Sequence, residues 1–373
     1  MIAVIADDFT GAAELAGISL RYGLKVSLFT REVKDTGADV LVVSTDSRSM
    51  TREEALRETK KTLEQLIVLG PSLIYKKTDS VMRGYVTDEL KLQLELQGFS
   101  RILYLPANPS LGRIIKDGNY YVGEKPIADT DFANDPEFPV SSSSVKVILK
   151  DPAVQVLNPG DLIPETGFMV AAATNTEEVE QWASLMDSKT LAAGAGDFFT
   201  ALLLQRFQSA DTPDPELSLP LLYVCGTAYE EAVRFVKKAE PDGLVEYLSN
   251  NTILHPERLD QEFVDSCKFR LQANAKMILA IDGSSIPPGS TARALRESMA
   301  NATQWILRRN IIHELFIEGG STATAILEEL KISALEPVNE WQRGVVRMKY
   351  GNLYITVKPG SYALPEQIKQ LFS

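Results

Sequence analysis

Cysteine and histidine are scarce, with two of each in 373 residues. Cys225 and Cys267 stand far apart without metal-ligand spacing, so they offer no disulfide framework and fit a reducing compartment. His255 and His313 form no H-x-x-x-H pair, which disfavours a histidine-rich zinc site. Positive charge is also in deficit: 38 Lys and Arg stand against 50 Asp and Glu, a net charge of −12. A phosphate-backbone binder needs the opposite balance, so nucleic acid is not an expected partner. No apolar run approaches the ~20 residues of a membrane span, so no membrane association is expected. The opening MIAVIADDFTG has no basic leader and reads as a first strand rather than a signal peptide, which makes the cytoplasm the expected location.

What is present is a repeated grammar. Apolar runs such as IAVIA, VSLF, VLVVS and SLIYKK alternate with helical patterns such as TREEALRETKKTLEQLIVLG and TDELKLQLELQG. After RILYLPAN the reading is of a long irregular stretch to about residue 144. Further on, FMVAAATN precedes TEEVEQWASLMD, with Thr176 as expected N-cap. The chain is long for one core. The fold expected is α/β, in two domains, each a mostly parallel sheet flanked by helices. The polar, proline-containing segment 209–219 reads as the linker, with domains at 1–208 and 220–373.

In open α/β sheets ligands bind at the carboxyl ends of strands, and the first domain carries charge there. ADDFTGAAEL places Asp7 and Asp8 at a strand end, with Thr10 and Gly11 opening a helix. STDSRS puts Asp46, Ser47 and Arg48 at a second end, and KKTDSVMRG puts Lys77, Asp79, Ser80 and Arg83 at a third. A single such residue is explained by helix capping, and one such segment by an ion-pair network. Three strand ends side by side form a polar crevice suited to a small ligand with a carboxylate and several hydroxyls. A guanidinium or ammonium bond to a carboxylate contributes about 1.5–3 kcal/mol. An aspartate there is placed to accept a proton from a reacting hydroxyl.

The second domain carries glycine at the same positions. LLYVCGTA, MILAIDGSS, HELFIEGGST and LYITVKPGS each run apolar and then meet glycine with a small polar residue. Gly226 and Thr227, Gly283 and Ser284, Gly319, Gly320, Ser321 and Thr322, and Lys358 with Gly360 together suggest a bed for nucleotide phosphates, helped by helix N–H groups. No G-x-x-x-x-G-K loop is present. LAAGAGDFFTALLL pulls elsewhere: its Gly194-Ala195-Gly196-Asp197 looks like the motif of ribokinase-like sugar kinases, which makes Asp197 a candidate base in an alternative reading. That motif normally lies near a chain's end, whereas here a whole domain follows it. A glycine-rich turn closing the first domain is the preferred reading.

ADDFTGAAE, KKTDSVMRG, the stretch from Pro106 to Val140 and GGSTATA together resemble the four-carbon acid sugar kinases, which include threonate and erythronate kinases. The match follows the family's order along nearly the whole chain. The resemblance implies an N-terminal acid-sugar-binding domain, a C-terminal nucleotide-binding domain and an active site in the inter-domain cleft. It implies ATP-dependent phosphorylation of a four-carbon acid sugar in carbohydrate acid catabolism, with Mg2+ accompanying ATP. Asp8 is the first choice for general base and Asp79 the second. Asp7, Thr10, Asp46, Arg48, Lys77, Ser80, Arg83 and Arg113 are expected at the substrate. Gly226, Thr227, Gly283, Gly319, Gly320, Ser321, Thr322 and Gly360 are expected at the nucleotide. No metal ligand is assigned, and a homodimer is the assembly to test. Three stretches differ from the family pattern: Asn119 replaces a usual histidine, KPGSYA stands where KSGNFG is usual, and CGTAYEEAV lacks a serine-rich start. These differences keep a second alternative in view, a non-catalytic acid-sugar sensor.

Overall fold

The structure, a computed structural model, describes residues 1–134, 138–210, 215–256 and 261–372. Residues 135–137 of the Pro106–Val140 motif and residues 211–214 of the expected linker lie outside the described residues. The chain divides into two compact units, Met1–Asp211 and Thr212–Ser373.

The first unit alternates strand and helix: β1 (Ile2–Ala6), α1 (Phe9–Leu20), β2 (Val26–Phe29), β3 (Val40–Ser44), α2 (Arg52–Val68), β4 (Leu73–Lys77), α3 (Val86–Gln97) and β5 (Arg101–Leu105). Then come β6 (Arg113–Lys116), β7 (Asn119–Val122), β8 (Lys125–Pro126), α4 (Val145–Ile148), β9 (Gln155–Leu157), β10 (Gly167–Ala171), α5 (Thr176–Ser184), β11 (Thr190–Gly194) and α6 (Gly196–Leu204). The main strands pair in parallel in the order β2-β3-β1-β4-β11-β5-β10-β9. Their unbroken apolar runs follow from burial on both faces: every residue of β1, β3 and β11 is buried. Under α2, Leu63 and Leu66 pack with Ala3, Ile5, Leu41 and Ile74. Each large apolar side chain so buried contributes about 1.5–3 kcal/mol. A capping box at Thr51 and Glu54 fixes where α2 begins.

Two local expectations are corrected. The stretch read as irregular contains a small antiparallel sheet, β6-β7-β8. Its first turn is Asp117-Gly118, with φ of 50° and 73°. That pair suits a two-residue hairpin loop needing positive φ at both positions. The N-cap of α5 is Asn175 rather than Thr176, because the Asn175 side chain accepts from the Glu178 N–H at 2.9 Å.

The second unit contains β12 (Leu221–Cys225), α7 (Glu230–Ala239), β13 (Val245–Tyr247), α8 (Asn250–Leu254), α9 (Gln261–Asn274), β14 (Lys276–Ala280), α10 (Ala292–Arg309), β15 (Glu314–Glu318), α11 (Gly320–Glu329), β16 (Ala334–Gln342), β17 (Val345–Tyr350), β18 (Leu353–Lys358) and α12 (Glu366–Leu371). Its strand order is β13-β14-β12-β15-β18-β17-β16, parallel as far as β18 and antiparallel beyond it. Tyr223 centres the core, with its ring 5.3 Å from Phe316 and 5.9 Å from Phe372.

Candidate active site

Register brings the charged strand ends of the first unit level with one another. Ala6 lies opposite both Ser44 and Lys77, and Gly194 lies opposite Lys77 and Leu105. The residues that follow β1, β3 and β4 therefore form one row along the sheet edge.

Arg48 ties that row together. Its guanidinium donates to Asp8 Oδ2, sits 3.1 Å from Asp79 Oδ1 and lies 3.7 Å from Asp7 Oδ2. Arg83 holds Asp79 from the other side through Nε at 2.9 Å, Nη2 at 2.9 Å and its backbone N–H at 3.1 Å. Asp79 N–H donates to Asp7 Oδ2 at 3.1 Å. Asp8 caps α1, accepting from Gly11 N–H at 2.8 Å and Thr10 Oγ1 at 2.7 Å. A side chain at Gly11 would put Cβ 2.7 Å from Asp8 Oδ1, so this cap requires glycine. Lys77 Nζ donates to the Thr78 carbonyl at 3.0 Å and lies 3.6 Å from Glu14. Arg113 donates to Ser80 Oγ, and the guanidinium groups of Arg83 and Arg113 lie 5.4 Å and 6.0 Å from the centre of the Phe132 ring.

The three aspartates differ electrostatically. Burial pushes Asp79 upward, but the charges and hydrogen bonds of Arg83, with Arg48, outweigh it and hold the carboxyl well below its usual range. Asp8 is lowered too: burial opposes, while Arg48, Lys77, Thr10 and Gly11 prevail. In Asp7 burial wins, and its carboxyl is pushed up to about 6.

Of the residues expected at the substrate or as base, Asp7, Asp8, Thr10, Arg48, Lys77, Asp79 and Arg83 meet in this network, and Ser80 joins Arg113. Asp46 also holds its own turn. It adopts φ 51°, and its carboxylate accepts from Ser49 Oγ at 3.4 Å. The Asp197 carboxylate accepts from the Ser110 N–H at 2.9 Å and from Ser110 Oγ at 2.6 Å, while its own N–H donates to Asn108 Oδ1 at 3.0 Å. It thus pins the turn after β5. Gly194, with φ 152°, has no room for a side chain, since a Cβ would meet the Leu105 carbonyl oxygen at 2.0 Å.

The sequence reading passed over Glu14, Asn108, Ser110 and Phe132. Glu14 carried a signal: it is the one acid in a helix that is otherwise mostly small and apolar. The others depend on contacts from distant segments.

In the second unit, β14, β12, β15 and β18 are consecutive parallel neighbours, so their glycine-bearing ends also lie side by side. Cys225 is opposite Ala280 and Glu318, and Glu318 is opposite Lys358. Gly226 and Gly360 permit close packing: Cβ atoms there would lie 2.1 Å from Thr322 Oγ1 and 2.6 Å from Thr227 Oγ1. Gly319 has φ 112° and leads into α11, whose first turn, from Gly320 through Ser321 and Thr322, has no side-chain cap. A Cβ at Gly283 would meet nothing within 4 Å, so this loop is open. Uncapped helix N–H groups beside glycine loops suit an anion. Among the described residues, no group of three or more His, Cys, Asp or Glu is placed to hold a metal ion, and no helix is long and apolar enough to cross a membrane.

A charged row at parallel strand ends, fed by the ADDFTG and KKTDS segments, defines a sugar-binding class of domain. The chain belongs to this family: the model of the sugar-binding N-terminal domain matches residues 2–197, more than half of its length. It is 25% identical to the D-threonate kinase of Salmonella typhimurium over 363 residues, covering 87% of this chain and 85% of that one. It is 32% identical to the D-threonate kinase of Bordetella bronchiseptica over 156 residues, covering 40% of this chain and 38% of that protein. The fold matches a Haemophilus influenzae protein of the DUF1537 family with a TM-score of 0.76 at 17% identity, over 99% of both chains. The resemblance drawn from the motifs therefore holds at the level of the family.

Proposed function

We propose that this protein is an ATP-dependent kinase that phosphorylates a hydroxyl of a four-carbon acid sugar of the threonate or erythronate type. The observation that carries the reading is the row of Arg48, Lys77, Arg83 and Arg113 interleaved with Asp7, Asp8 and Asp79, in a chain of this family. The D-threonate kinases above support the substrate class.

Cations in the row take the substrate carboxylate by charge-assisted hydrogen bonds, and the aspartates accept from its hydroxyls. The phosphates of ATP lie along the second unit's glycine loops, which Gly226, Gly319 and Gly360 let pack closely together around Thr227 and Thr322, and the first turn of α11 donates N–H groups. A divalent cation accompanying ATP would be held by the phosphates themselves and would supply charge neutralisation there. Phosphoryl transfer is mainly positioning and charge stabilisation, so the protein's task is to hold hydroxyl and γ-phosphate in line and keep water out.

The test is ADP release across a panel of four-carbon acids, with the corresponding neutral polyols as controls. Turnover is expected with at least one acid and not with the polyols. No turnover with any acid, or equal turnover with a polyol, contradicts the reading.

A further inference from the structure

We propose that Asp7, rather than Asp8 or Asp79, accepts the proton of the reacting hydroxyl. This rests on the acid sugar kinase reading above. The three carboxylates share Arg48 but differ in what their oxygens already hold. Asp8 Oδ1 takes the Gly11 N–H, and its Oδ2 takes Thr10 and Arg48. Asp79 Oδ1 takes Arg48 and Arg83 Nη2, and its Oδ2 takes Arg83 twice. Asp7 Oδ2 takes the Asp79 N–H. Asp7 Oδ1 has no hydrogen-bond donor among the described residues, although the residue is only 4% exposed. A buried acceptor left without a donor is destabilising. A substrate hydroxyl is a donor that relieves that cost.

The groups around Asp7 come from several elements: Arg48 after β3, Asp8 beside it, Lys77 and Asp79 at the end of β4, and Tyr104 on β5. Burial is the largest influence; Arg48 and Lys77 oppose it, and the neighbouring carboxylates reinforce it, leaving Asp7 near 6. Such a group is ionised at neutral pH and still takes a proton readily. Asp8 and Asp79, both lowered, are weaker bases.

Oδ1 is closed to solvent. Arg48 spans Asp7, Asp8 and Asp79, and a substrate carboxylate competes for its guanidinium. Arg48 lies 3.7 Å from Asp7 Oδ2, so a substrate carboxylate drawn to its guanidinium brings the same molecule's hydroxyls to the Asp7 carboxyl. In the step itself the hydroxyl O–H bond breaks and the proton passes to Asp7 Oδ1. The hydroxyl oxygen bonds to the γ-phosphorus, and the bond from that phosphorus to the β–γ bridging oxygen breaks, its electron pair leaving with ADP.

The experiment compares the native enzyme with Asp7→Asn, using the acid that the native enzyme turns over, across pH 5–8 with Mg2+ and ATP saturating. The native kcat/KM is expected to fall on the acid side of about pH 6. Asp7→Asn is expected to lose about 10²–10⁴ in kcat, keep its KM for the acid within a few-fold, and lack the acid limb. Near-native kcat in a folded Asp7→Asn protein overturns the proposal while leaving the kinase reading intact. If that variant does not fold, the native profile decides: a limb near pH 6 supports Asp7, and a flat profile overturns it. A native enzyme inactive on every four-carbon acid overturns the kinase reading, and the assignment of Asp7 falls with it.

Discussion

Lys358 and Glu318 form a buried ion pair at the ends of adjacent parallel strands, with Nζ 2.6 Å from Oε1. Lys358 Nζ also donates to the Pro359 carbonyl at 3.0 Å, and Tyr223 donates its hydroxyl to Glu318 Oε2. The backbone adds to this: Gly226 N–H donates to the Glu318 carbonyl and Gly319 N–H to the Lys358 carbonyl, both at 2.9 Å. The pair therefore underlies three glycine loops at once. Removing one partner leaves a buried charge uncompensated, so Lys358→Met is expected to cost about 3–5 kcal/mol. The double variant Glu318→Gln with Lys358→Met should recover much of that loss. Urea unfolding of the single and double variants checks it, and a single variant within 1 kcal/mol of native by the same scale counts against it.

Gly226→Ala tests the glycine bed itself. A Cβ 2.1 Å from Thr322 Oγ1 cannot be accommodated without displacing the start of α11. Nucleotide affinity should weaken by about tenfold or more, equivalent to about 1.4 kcal/mol, with acid affinity unchanged. Titration calorimetry with each ligand separates the two.

Arg83→Ala should act on the acid. Loss of a charge-assisted contact of about 1.5–3 kcal/mol raises KM by roughly tenfold or more, with kcat little changed. A variant hit only in kcat instead places Arg83 on the transferring phosphate.

Asp197→Asn addresses the ribokinase-like alternative. The Asp197 carboxylate is occupied by Ser110, so the variant is expected to lose about 1–2 kcal/mol of stability and to keep most of its turnover. A thousand-fold fall in kcat, about 4 kcal/mol of transition-state stabilisation, without loss of stability would favour Asp197 as base.

Much of the fold was legible because parallel strands buried on both faces must be apolar, as IAVIA and VLVVS are. The charged row was legible because charge stood at the ends of those runs, in ADDFT, STDSRS and KKTDS. The hairpin at Asp117-Gly118 was also written in the sequence, as a turn pair, but was passed over among irregular neighbours. The roles of the individual acids were not legible. Asp7 and Asp8 are adjacent and identical in type, and what separates them is how many donors reach each oxygen. Those donors arrive from Arg48, Asp79 and Gly11, and no linear pattern encodes their convergence. Glu318 was similarly hidden at the end of its own apolar strand, and its pairing with Lys358, a residue read only as part of the nucleotide bed, was not legible.

The division of labour between the two units is tested most directly by a crystal structure containing a turned-over four-carbon acid and a non-hydrolysable ATP analogue. The account predicts the acid at the ends of β1, β3 and β4, with its carboxylate on the arginine and lysine side chains there, and the triphosphate at the ends of β12, β15 and β18. Both molecules bound to one unit, or the triphosphate seated on Arg48 and Arg83, would contradict it.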